Sequence, residues 1–80
     1  MLYMQLNNNS KAVKYFNKSV LLSPFNYTYR YNLAVLLDKM GDIKNASILY
    51  RQLIAASQQG KVIPENPHKI NERLIYLSAK

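Results

Sequence analysis

The chain has no cysteine and no tryptophan, two glycines, one histidine and four acidic residues. Each shortage closes off a class of function. Without thiols there is neither a disulfide framework nor a thiolate site for zinc or nucleophilic chemistry. With glycine only at Gly41 and Gly60, no glycine-rich loop can cradle a phosphate. His68 sits beside Pro67 with no acid or serine at triad spacing, and a metal site needs several convergent ligands. Asp38 and Asp42 flank a turn, which suits solvent-facing and capping roles better than a catalytic carboxylate pair. No catalytic residue, cofactor or metal is expected, and the chain reads as a non-enzyme.

Long apolar runs are missing too. Runs such as Val20-Leu21-Leu22 and the longest, Leu33 to Leu37, fall far short of a bilayer span. Met1 to Leu6 lacks the basic start and long apolar core of a signal peptide. A cytoplasmic protein without a membrane partner is expected. The four glycosylation sequons, starting at Asn8, Asn17, Asn26 and Asn45, are read as by-products of an asparagine-rich chain.

What remains is 80 residues of 49% apolar composition, enough for one small domain. Such a chain buries only about 60% of the surface its unfolded form exposes, so its core has little margin. Eleven basic residues against four acidic ones give a net charge of +7. Residues 1–40 carry five basic and one acidic side chain, residues 41–80 six and three. With no consecutive basic block, this spread reads as general composition, and nucleic acid is not the expected partner.

The apolar pattern is helical throughout. Leu33, Leu36, Leu37 and Met40 recur at three- and four-residue spacing, and Ile43, Ala46, Leu49, Tyr50, Leu53 and Ile54 repeat the stripe. Between them Gly41 can take the left-handed conformation that closes a helix, and Asp42 can cap the next one. So short a link predicts an antiparallel hairpin. Upstream, Ala12, Tyr15, Phe16, Ser19 and Val20 predict a helix over residues 10–22. Asn7-Asn8-Asn9 is expected to turn the chain before it, leaving Met1 to Leu6 as a short leading helix. Pro24 breaks the chain ahead of the hairpin. Asn66 and Pro67 make a cap and first-turn pair for a last helix to about Ala79, with Ile70, Leu74 and Leu77 on one face.

Residues 34 apart match in class: Leu2 with Leu36, Leu6 with Met40, Asn7 with Gly41, Ala12 with Ala46, Phe16 with Tyr50, Val20 with Ile54. Asn32-Leu33-Ala34, Gly41-Asp42, Ala46, Tyr50 and Leu53 follow the spaced signature of a 34-residue helix-turn-helix repeat, and Ala12, Phe16, Ser19 and Pro24 follow its second half. On these residues the chain resembles the tetratricopeptide repeat family. It departs from the family pattern at Arg30, where a large residue such as Trp is usual, at Leu37 in place of Tyr, and at Gln58 in place of a closing Pro. The resemblance implies an all-α protein of antiparallel hairpins stacked as a short right-handed solenoid. Residues 1–24 would form a partial repeat, 25–58 a complete one and 64–79 a capping helix.

The resemblance also implies a use: repeats of this kind hold a peptide or partner helix in a concave groove lined by their first helices. The matching positions are Thr28, Tyr31, Asn32, Val35, Asp38 and Lys39, with Met4 and Gln5 as counterparts on the leading helix. Tyr27, Tyr29 and Tyr31 do not share one helix face, which argues against a base-stacking platform. Two alternatives stay open, a self-assembly module and a basic helical nucleic-acid-binding domain. A homodimer through residues 1–20 is expected if Phe16 and Val20 are left at an open apolar edge.

Overall fold

The computed structural model describes residues 2–79, and the side chains of residues 10–79. Four helices follow one another: α1 (Leu2–Leu22), α2 (Tyr27–Lys39), α3 (Ile43–Gln58) and α4 (Pro67–Ser78). No strand occurs among the described residues. Each helix packs on its neighbours in sequence: α1 on α2, α2 on α3, α3 on α4. The result is a slab of 40 × 33 × 16 Å. Its thin dimension fits about two packed helix layers, which leaves two broad faces.

The breaks are made by local chemistry. The Asn26 side chain accepts from the Thr28 amide at 3.2 Å and starts α2. At its end Gly41 takes φ +86°, so its amide reaches the Asp38 carbonyl at 3.1 Å and the Asp42 amide reaches Leu37 at 2.9 Å. That pair of bonds satisfies carbonyls which the end of a helix leaves orphaned. Asp42 then caps α3, accepting from the Asn45 amide at 3.3 Å. Gly60, at φ +87°, closes α3 in the same way. Asn66 caps α4 by accepting from the His68 amide at 2.8 Å, with Pro67 in the first turn. Arg30 contributes a tie of its own. Its guanidinium donates to the Pro24 carbonyl at 3.3 Å and lies 5.6 Å from the Tyr27 ring centre, so it clamps the α1–α2 turn.

One expectation fails here. Asn7-Asn8-Asn9 does not turn the chain, and α1 runs unbroken from Leu2 to Leu22. Asparagine tolerates the left-handed region but does not require it, and inside a helix it costs only about 0.7 kcal/mol relative to alanine. Without a glycine or proline nothing there forces a break, whereas Gly41 and Pro24 do.

The core lies between α2, α3 and α4. Leu33, Ala34 and Leu37 come from α2, Ala46, Tyr50, Leu53 and Ala56 from α3, Ile70, Leu74 and Leu77 from α4. Ala34 and Ala46 have no exposed surface, which keeps the α2–α3 contact close. α1 adds a partly buried layer of Val13, Phe16 and Val20 packed against this core. Phe16 and Val20, on which the expected homodimer rested, are thus partly buried within their own chain.

Candidate functional site

The surfaces that the helices leave free define the candidate site. On α2 the buried residues Leu33, Ala34 and Leu37 fix one side of the helix against the core. At 100° per residue the opposite side carries Thr28, Asn32 and Lys39, and all three are exposed. Tyr31 and Val35 are half-buried, and both pack against the core. Met4 and Gln5, their expected counterparts on the leading helix, lie outside the residues whose side chains are described.

Tyr31 opens onto a hollow of about 210 Å³ that reaches from α2 to α4 and is lined also by Tyr50, Glu65, Lys69, Ile70 and Arg73. Burial and the nearby Glu65 carboxylate push the Tyr31 hydroxyl above its ordinary range, so it stays protonated and can both donate and accept. Inside the hollow Lys69 and Glu65 offset each other in formal charge.

Asp38 is put to a different use from the one its spacing suggests. Its side chain is only 9% exposed. It accepts two hydrogen bonds from the Arg73 guanidinium, both at 2.7 Å, and one from the Tyr50 hydroxyl at 3.0 Å. One carboxylate thereby joins α2, α3 and α4. Burial, and next the bond to Asp38, push the Tyr50 hydroxyl well above its usual range; the same partner raises Arg73. Arg73 also lies over the Tyr76 ring, 4.9 Å from its centre, a cation–π contact that adds to its hold. Asp38 therefore positions the last helix, and as a groove residue it offers no open carboxylate face.

Sequence reasoning missed Glu65, Lys69, Ile70 and Arg73 as neighbours of Tyr31. Asp38 and Arg73 are 35 residues apart, and no periodicity links them. The one available hint was the tyrosine at position 50, where the repeat pattern also admits phenylalanine: its extra hydroxyl needed a partner once buried. His68 lies 3.5 Å from Glu72 one helical turn on, with both side chains well exposed. Among the described residues no helix is long and apolar enough to cross a membrane.

Two further hollows lie away from α2's free side. One of about 350 Å³ runs between α1 and α3, where Val13, Asn17, Asn45 and Ile48 meet over Leu33 and Leu37. The other, of about 440 Å³, lies between α3 and α4 beside Ile54 and Ile75. Both are broad clefts between helices and hold no cluster of titratable groups.

The family model of the tetratricopeptide repeat matches the chain at residues 1–26 and again at residues 27–59. No curated protein and no solved structure matches it. The second match takes in α2 and α3, including the Gly41 turn and the buried Ala34 and Ala46. The first takes in the second-half signature Ala12, Phe16 and Pro24 on α1 and the turn after it. Repeats of this family are non-catalytic scaffolds that mediate contacts between proteins. With two matched repeats covering most of its length and helices that pack in sequence order, this chain belongs to the tetratricopeptide repeat family.

Proposed function

We propose that the chain is a protein-interaction module that holds a peptide or partner helix along the free sides of α2 and α4. The observation that carries this reading is the hollow between Tyr31 on α2 and Lys69 and Arg73 on α4, where the free side of α2 also exposes Thr28, Asn32 and Lys39. A ligand lying there meets a protonated phenol, an amide and two ammonium groups, arranged on rigid helices. Asp38 contributes by fixing α4 against α2 through Arg73, which keeps the hollow's two walls in register. With its charges nearly balanced, the hollow favours hydrogen bonding and packing against Tyr31 over simple charge attraction.

The test uses a peptide selected from a displayed library against the full chain. Amide shift changes are expected at Tyr31, Asn32, Val35, Lys39 and Lys69. The double variant Asn32→Ala, Lys39→Glu should weaken binding and leave helicity unchanged, since both side chains are exposed. Shifts confined to residues 46–56 would put the site on α3 and defeat the reading.

A further inference from the structure

The groove leaves the most unbalanced surface of the molecule unused. No acidic residue precedes Asp38, and the Asp38 carboxylate is taken up by Arg73 and Tyr50. α1 consequently carries three lysines and no acid. Val13, Phe16 and Val20 fix its inner side against the core. Lys11, Lys14 and Lys18 fall on the opposite side at i, i+3 and i+7, and all three are exposed. They form a stripe about 10 Å long. Leu22 continues it one turn further on.

The same end of α1 is unusually apolar for a surface. Leu21, Leu22 and Phe25 are 81%, 73% and 77% exposed, and Tyr15 beside the stripe is 60% exposed. Scattered single apolar residues on a surface are ordinary, but four large ones within eleven residues, next to an unopposed lysine row, form a patch. Tyr15 packs edge-on against Phe16 with ring centres 5.3 Å apart, while Leu21, Leu22 and Phe25 stay largely exposed because the inner side of α1 supplies the contact with α2.

We propose that the outer side of α1 is a second docking surface, independent of the α2–α4 groove, for an acidic amphipathic segment of a partner protein. Carboxylates spaced over about two turns would face Lys11, Lys14 and Lys18, and apolar residues beyond them would cover Leu21, Leu22 and Phe25. Charge complementarity selects this occupant. A second copy of the chain is disfavoured on the same ground: a symmetric dimer through this face would set lysine stripe against lysine stripe in a molecule of net charge +7.

A synthetic helical peptide with glutamates at i, i+3 and i+7 followed by two leucines, and its twin with glutamines in place of the glutamates, test the proposal against the full chain. The glutamate peptide should shift the amides of Lys11, Lys14, Lys18, Leu21 and Leu22 and bind about tenfold or more tightly than the glutamine twin, with affinity falling as salt rises. The double variant Lys14→Glu, Lys18→Glu should lose that binding at unchanged helicity. Leu21→Ser, Leu22→Ser should weaken both peptides. Equal binding of the two peptides, or shifts confined to Tyr31, Asn32 and Lys69, would overturn the proposal; the latter would leave the groove reading standing. Preference for phosphatidylglycerol vesicles or duplex DNA over the glutamate peptide, abolished by the same lysine variants, would also overturn it, by assigning the face to a different class of partner.

Discussion

Asp38→Ala is the sharpest test of the arrangement that holds α4 in place. The carboxylate accepts three hydrogen bonds, two from Arg73 and one from Tyr50. The two donors respond differently to its loss. The Arg73 side chain is 45% exposed, so its guanidinium returns to water and its share is that of a surface pair, below about 1 kcal/mol. Tyr50 is 4% exposed, and its hydroxyl would be left as a buried donor without an acceptor, costing about 1–3 kcal/mol. Asp38→Ala should therefore destabilise by about 2–3 kcal/mol. For a domain of this size each kcal/mol moves Tm by roughly 4–8 °C, so a fall on the order of 10–20 °C is expected. Because the cost resides in an orphaned hydroxyl, Tyr50→Phe placed on top of Asp38→Ala should restore part of the loss. Urea denaturation followed by far-ultraviolet circular dichroism measures all three variants. A loss below about 0.5 kcal/mol for Asp38→Ala, or a Tyr50→Phe cost that simply adds to it, would refute the reasoning.

The Tyr50 hydroxyl also gives a pH signature: its folded pKa is raised by burial and by Asp38, so above about pH 10 the unfolded chain sheds a proton that the folded chain keeps, and stability should fall with rising pH; urea titrations from neutral to alkaline pH should show that fall flattened in Tyr50→Phe, with Tyr31 supplying a remaining part in the same direction. Ala46→Leu should cost about 1–3 kcal/mol, because Ala46 has no exposed surface and a larger side chain must part α2 from α3; an unchanged thermal melt would refute that contact. Gly41→Ala should cost about 1 kcal/mol from the backbone alone, since φ is +86° while nothing lies within 4 Å of the added carbon, and Gly41→Asn should cost less in the same denaturation assay. Sedimentation should give a constant mass near 9.3 kDa up to high micromolar concentration, because Phe16 and Val20 pack on their own core and the outer side of α1 repels its copy; a mass rising with concentration would restore the N-terminal edge as a self-assembly surface.

The sequence alone determined where α2, α3 and α4 begin and end, because those boundaries rest on local chemistry: Gly41 for a left-handed turn, Asp42 and Asn66 for caps, Pro67 for a first turn. It determined the core faces of α3 and α4, since a 3.6-residue period states which side chains share a side before any partner is known, whereas on α2 the stripe counted Met40, which is 40% exposed, and left out the fully buried Ala34. It determined the family, because the repeat signature is a matter of spacing. Only the tertiary structure decided the fate of residues whose role depends on distant neighbours. Asn7 to Asn9 permit a turn without compelling one, and the chain carries its helix straight through them. Asp38 looks like a solvent-facing groove residue until Arg73 and Tyr50 arrive from two other helices, and then it becomes the tie between all three. The lysines of α1 look like part of an even scatter of charge, because a count along the chain cannot see that Lys11, Lys14 and Lys18 fall on one side of a helix that carries no acid of its own. Local propensity is written residue by residue, whereas pairing across 35 residues and the charge balance of a face exist only once the helices have packed.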